Sequence, residues 1–428
     1  MSFFPGPRVA DALKRTVGVG GAVLLGMGSI VGTGIFVSVG IAAGIAGPSV
    51  LLAVLLAAGV ATCNGLNSAQ LAAAHPVSGG TYEYGYRYLN PFWGFTAGWL
   101  FLLAKSASAA TAALGFTGYL MRAMGWQGPW LQRLIALAAV GALTLLVLEG
   151  LRRSNVMNAV LVLLAGVALL CFVALGLPRA SAGSFAPFLR GGVPGLFEAT
   201  ALAFVAYTGY GRIATMGEEI REPARNIPRA MIITLAISAV LYAAVAFVLV
   251  ATGNARGTIV DPAPLQTAAR GYGPAAAWIV AQGAMVAMLG VLLNLVLGLS
   301  RVWLAMGRRR DMPAVLARVK GGTTPVPAVV VTGLVIAALV LAGNVKLTWS
   351  FSAFTVLVYY AITNAAALCL RGAERKFPQW LAMVGLGSCA FLAFSVEWKV
   401  WLAGLVLIGL GALWHFANAR RRGPWFGA

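Results

Sequence analysis

Between residues 17 and 417 the chain is a nearly unbroken series of apolar runs, separated by short segments rich in Arg and Lys. A helix of roughly 20 mostly apolar residues crosses the hydrocarbon core of a bilayer, because it pairs its own backbone polar groups where no water can. Of 428 residues, 60% are hydrophobic and 10% are charged. An ordinary soluble domain carries about 25% charged residues, and a soluble chain with this pattern would leave wide apolar patches in water. The expected fold class is therefore an all-α membrane protein.

Hydropathy and loop punctuation predict about twelve transmembrane helices, at 17–43, 48–73, 92–121, 131–149, 156–177, 194–217, 228–252, 274–306, 326–343, 348–370, 378–395 and 397–417. With the N-terminus placed inside, 20 of the 31 Lys and Arg fall in inner segments and 8 in outer ones, while Lys105, Arg212 and Arg301 lie within spans. Short inner loops of membrane proteins carry this positive excess. An even number of spans then puts both termini on the cytoplasmic side. The formal net charge of +20 is thus read as topology, with a lipid bilayer as partner and no nucleic acid. Cys63, Cys171, Cys369 and Cys389 lie in apolar runs with no close pair, so neither a disulfide framework nor a zinc site is expected. The first apolar run is too long and too Gly-rich for a cleavable signal peptide and reads as span 1. The longest outer loop, about 253–274, leaves no room for a soluble domain.

Two spans carry helix breakers at mid-membrane depth. Span 1 contains Gly28-Ser29-Ile30-Val31-Gly32-Thr33-Gly34. Each Gly disfavours a helix by roughly 1 kcal/mol relative to Ala, so the cluster favours a break. Its competing reading is a small-residue packing face, since Gly28 and Gly32 are four apart. Span 6 contains Phe204-Val205-Ala206-Tyr207-Thr208-Gly209-Tyr210-Gly211-Arg212. Interrupted helices five spans apart are the pattern of two inverted five-helix repeats with a binding site at their interface. A break frees N–H groups that attract a carboxylate, and carbonyls that accept from an ammonium.

The run Gly28 to Phe36 resembles the span 1 motif of the amino acid–polyamine–organocation (APC) superfamily. Phe204 to Gly211, followed by Glu218 to Pro228, resembles its span 6 and the next loop. Gly298, Arg301, Ala305, Met306, Arg308 and Pro313 resemble its span 8 ending. The resemblance implies a LeuT-type fold in one transporter domain, with a first repeat at 1–177, a second at 194–370 and two additional helices at 378–417. It implies a secondary transporter, a permease working by alternating access, with an amino acid as substrate and no cofactor. Ser29, Ile30, Gly32, Thr33 and Gly34 are the expected span 1 contacts, with Thr33 and Gly34 at the carboxylate. Ile30 and the backbone near Phe204, Val205 and Tyr207 are expected to receive the amino group. Some proton-coupled members carry a Lys in span 5; Ala159 to Leu170 has none here.

Lys105 is the one charge in the run between Arg87 and Arg122. A central Lys costs roughly 2.5–3.5 kcal/mol on insertion scales, so it is expected to face the bundle interior. It is a candidate for the substrate carboxylate and for carrying a coupling H+, against a structural role donating to carbonyls at a break. Glu218 and Glu219 are inner gate candidates, or a solvated pair contributing little. Pro228 is expected in the first turn of span 7, and His75 and His415 at the inner interface. All 11 acids fall near span ends or in loops, which argues against a membrane enzyme and leaves no metal cluster. No span supplies a continuous polar lining for a channel. A sensor that binds an amino acid without moving it is the remaining alternative.

Overall fold

The computed structural model describes residues 17–77, 79–150, 155–214, 219–256, 261–319 and 324–419. The described elements are helices, and an isolated parallel bridge joins Val17 to Ile220. Eight described stretches are long and apolar enough to cross a membrane, and Val326–Ala342 and Gln379–Ala393 are shorter apolar helices. The outward faces carry apolar side chains such as Leu134, Leu163, Val240 and Leu413, all exposed. In water that surface would aggregate; against acyl chains it is the required solvent face. The chain is a helical membrane protein.

The first interrupted helix comprises α1 (Val19–Ile30), a π-helical turn (Gly34–Ser38) and α2 (Val39–Ala46). It leads through a short 3-10 turn into α3 (Val50–Ala74). A short helix α4 (Thr81–Tyr84) and a second π turn (Gly85–Leu89) precede α5 (Pro91–Met124). Asn90 caps α5 by accepting from the Trp93 N–H at 3.0 Å. Then come α6 (Pro129–Leu148) and α7 (Asn155–Gly176). The second interrupted helix is α8 (Gly192–Tyr207), a 3-10 turn (Thr208–Tyr210) and α9 (Gly211–Ala214). The rest is α10 (Pro223–Ala251), α11 (Pro264–Arg270), α12 (Pro274–Arg308), α13 (Val326–Ala342), α14 (Val345–Leu368), α15 (Gln379–Ala393) and α16 (Trp398–Ala419). Helix α5 packs against both α12 and α14, and α3 packs against both α8 and α10; α1 packs against α10 and α7, and α2 against α8.

One boundary differs from the sequence reading by more than a turn. Span 7 begins at Pro223, not near Pro228, so Pro228 lies inside α10. Proline has no N–H for the carbonyl four residues back. That carbonyl belongs to Ala224, and it accepts instead from Lys376 Nζ at 2.7 Å. The missing bond is replaced from the segment before α15, which lets the helix run through the proline.

A polar cluster fixes the α4 segment against the end of α12. Asp311 is fully buried. Its carboxylate accepts from the Tyr82 hydroxyl and, at 2.8 Å, from the Tyr86 hydroxyl. Burial and the neighbouring Asp311 push the Tyr82 phenol well above its ordinary pKa, which keeps it a donor. Trp414 of α16 donates to the Asp311 carbonyl at 2.8 Å. Arg309 makes a two-pronged pair with Glu83, both contacts 3.1 Å, and lies 4.1 Å over the Tyr86 ring. His415 packs beside Phe95, ring centroids 4.9 Å apart. We expect Asp311→Ala to destabilise detergent-purified protein by roughly 3 kcal/mol, because two phenols lose a charged acceptor. Glu83→Gln breaks a partly exposed pair and should cost under about 1 kcal/mol. Denaturant titration of both variants checks the ordering, and equal losses would contradict it.

Candidate functional site

The first helix breaks where its glycines cluster. Val31 leaves helical geometry, with φ −76° and ψ 96°, and its N–H still closes α1 on Met27. The Gly32 carbonyl accepts from both Ile35 and Phe36 at 3.2 Å. The second helix tightens into a 3-10 turn at Thr208, whose hydroxyl donates to the Val205 carbonyl at 2.8 Å.

The two breaks touch. A Cβ added at Gly34 would lie 2.7 Å from Ala206 Cβ and 2.8 Å from its Cα. A Cβ at Gly209 would strike the Ser29 carbonyl group. The backbones thus cross at van der Waals distance, which only glycine at these two positions permits. Gly28 packs on Asn158 of α7, whose amide donates to the Leu24 carbonyl at 2.9 Å.

Between the breaks lies a cavity of about 50 Å³. Of the sequence-predicted residues, Ser29, Ile30, Thr33, Gly34, Lys105 and Val205 line it. Gly32, Phe204 and Tyr207 do not. Gly32 faces Val291. Phe204 packs edge-on against Tyr360, and Tyr207 donates to the Val54 carbonyl at 3.3 Å. Ser108, Thr208, Val291, Leu295 and Trp349 also line the cavity, and sequence reasoning missed them. The Thr33 hydroxyl is buried with no hydrogen-bond partner. A buried unpaired hydroxyl costs roughly 1–3 kcal/mol, and Thr33 bears that cost at the cavity wall.

Lys105 Nζ donates to Thr208 Oγ1 at 3.0 Å. The ion pairs among the described residues are Arg122–Asp261, Arg309–Glu83 and Lys346–Glu198, so Lys105 has no carboxylate partner there. Tyr242 of α10 was also missed. Its hydroxyl reaches the carbonyls of Ile30 at 2.8 Å and Ala206 at 3.2 Å. It therefore already occupies one lone pair of the carbonyl that sequence reading offers to an ammonium.

A second cavity of about 330 Å³ shares Ser29, Lys105, Thr208, Val291 and Leu295 with the first. It extends past Arg212, Arg301, Glu219 and Tyr82 toward the face where Val17 pairs with Ile220. Glu219 lines the same cavity as Arg212; Glu218 lies outside the described residues. On the opposite side of the small cavity, Ser108 pairs with Ser352 and Thr111 with Thr348, each at 2.7 Å.

Residues 21–423 match the amino acid permease family model. A transporter of Mycobacterium tuberculosis, itself uncharacterised, is 40% identical over 412 residues, covering 94% of this chain and 91% of its own. A branched-chain amino acid permease of Bacillus subtilis is 27% identical, covering 96% of this chain and 94% of its own. The human cationic amino acid transporter 4 is 32% identical over 395 residues, covering 86% of this chain and 61% of its own. The chain belongs to the amino acid permease family of membrane transporters, within the APC superfamily.

We expect Gly34→Leu and Gly209→Leu each to abolish uptake into proteoliposomes while the chain still inserts, because either side chain pries the breaks apart. Native uptake by either variant would contradict the crossing as the functional centre.

Proposed function

We propose that this chain is a secondary active permease that carries a neutral or acidic amino acid across the cytoplasmic membrane by alternating access. The scaffold is a LeuT-type arrangement of twelve spans, five plus five inverted and two additional, with both termini cytoplasmic. The observation that carries the reading is the crossing of two interrupted helices at one cavity holding an unpartnered Thr33 hydroxyl and Lys105. Irregular backbone at this depth is tolerated where it lines a cavity, and paired half-helices at mid-membrane are where such transporters bind their cargo.

On this reading the substrate carboxylate meets Thr33 and the N–H groups that open the outer half-helix, with Ser29 and Gly34 beside it. Its ammonium meets Ile30 and the carbonyls at the end of α8 near Val205, sharing them with Tyr242. The small cavity holds only a few waters. A substrate entering from the larger cavity must therefore displace Lys105 from Thr208. The larger cavity is the cytoplasmic vestibule, and the hydroxyl pairs between α5 and α14 close the outer path. This arrangement is the inward-facing state.

Lys105 takes one of two active roles: it contacts a substrate carboxylate, or it loads and releases the coupling H+ in proton symport or exchange. Glu219 and Arg212 belong to the inner gate. The small cavity has no acidic lining residue among those described, so a cationic side chain meets Lys105 with no countercharge. The substrate class in the name of the branched-chain permease fits this charge, and that of the cationic transporter does not.

Competition against labelled uptake in proteoliposomes tests substrate charge. Neutral or acidic amino acids should compete, and arginine and lysine should not. Tight competition by arginine would overturn the assignment. Lys105→Met keeps length and removes the charge. Loss of concentrative uptake with exchange retained would mark the proton carrier. A loss of roughly tenfold or more in affinity for acidic substrates alone would mark the carboxylate contact. Unchanged uptake across substrates and pH would reject both roles.

A further inference from the structure

The larger cavity holds two cations that the central site does not use. Arg212 of α9 and Arg301 of α12 line it, and neither lines the small cavity. Arg301 lies six residues beyond Leu295, about 9 Å along α12, and Arg212 lies four beyond Thr208, about 6 Å along its helix. Both therefore sit one to two turns from the central cavity, toward the Val17–Ile220 face.

Both guanidinium-bearing residues line this one cavity, and so does Glu219. Glu219 is the one acid among the described lining residues. Two like charges facing one cavity repel, and a charge inside a membrane protein marks a pathway or a ligand unless packing alone accounts for it. Packing alone does not account for Arg301, which remains exposed in the cavity wall. An anion entering between the two groups removes their repulsion. The guanidinium fork matches a carboxylate in planarity and in paired donors. About 330 Å³ also exceeds what a small carboxylate needs.

We propose that Arg212 and Arg301 form a second, vestibular binding site for the carboxylate of a small organic acid. The site makes no demand for an ammonium group. It goes beyond the central-site reading, because it binds carboxylates that the central site has no reason to carry. It concentrates carboxylate-bearing solutes in the vestibule, one to two turns from the Lys105–Thr208 contact.

Calorimetric titration of the full chain in lipid nanodiscs at low salt, with succinate as probe, tests the site. Saturable binding is expected, weakened at least about tenfold by Arg301→Gln and by Arg212→Gln, each of which removes charged hydrogen bonds. Arg301→Lys keeps the charge and should bind between the two extremes. Should the glutamine variants fail to fold, the native chain decides: succinamide, the uncharged isostere, should not bind. Absence of saturable succinate binding by the native chain overturns the proposal. So does equal binding of succinamide, or native-strength binding by the glutamine variants. Binding is read here without transport, so its failure leaves the central-site reading standing. A chain that binds succinate yet carries no amino acid sinks only that other reading.

Discussion

A backbone polar group left unpaired in hydrocarbon costs several kcal/mol, and the rest of this structure is arranged around two places where the backbone comes unpaired. At each break, side chains from distant helices replace the lost bonds. Tyr242 covers the carbonyls of Ile30 and Ala206 with one hydroxyl. Tyr119 donates to the Phe36 carbonyl at 2.7 Å, inside the π turn. Trp349 and Ser38 both donate to the Leu202 carbonyl, at 3.0 Å. Thr208 covers Val205, and Tyr360 approaches Thr208. Among the polar side chains that line the small cavity, Ser29, Lys105, Ser108, Thr208 and Trp349 all have partners, and the Thr33 hydroxyl has none.

Charge is distributed by the same economy. Asp311 is buried but receives two phenol hydroxyls. Glu198 sits near the start of α8 and lies 3.8 Å from Lys346. Lys105, by contrast, donates to a neutral hydroxyl, that of Thr208. A hydroxyl replaces part of the ammonium's hydration and none of its countercharge. In that contact Lys105 differs from a Lys that donates to backbone carbonyls.

The interruptions are legible in the sequence because glycine and hydroxyl residues crowd into short windows of otherwise apolar runs, and helix propensity responds to local composition. Most span boundaries are legible for the same reason. The partners are not. Tyr242 is one tyrosine in an apolar run, and its acceptor Ile30 lies 212 residues away. Asp311 stands in a basic loop and reads as a solvated acid; its phenol partner Tyr82 lies 229 residues away. Pro228 reads as a helix start until Lys376 is seen to supply the missing bond from another segment. Within span 6, sequence order cannot tell which face of the last turn meets the cavity. Val205 and Ala206 line it, while Phe204 and Tyr207 turn into neighbouring helices.

The strengths of these contacts bear on which parts can move. Hydrogen bonds between neutral side chains inside membrane proteins average only about 0.6 kcal/mol by double-mutant cycles. The Ser108–Ser352 and Thr111–Thr348 pairs on the far side of the small cavity are of this kind. Separating α5 from α14 there costs little, provided water enters as they part. The Asp311 cluster is of a different kind, since hydrogen bonds to a buried charge are worth roughly 1.5–3 kcal/mol each, and here two phenols share one carboxylate. A transporter on the proposed cycle must keep some contacts and exchange others at modest cost. Weak neutral pairs beside the cavity and charged bonds at the α4–α12 junction divide those duties. On that division the α4 segment stays with the end of α12, while the hydroxyl pairs open and close.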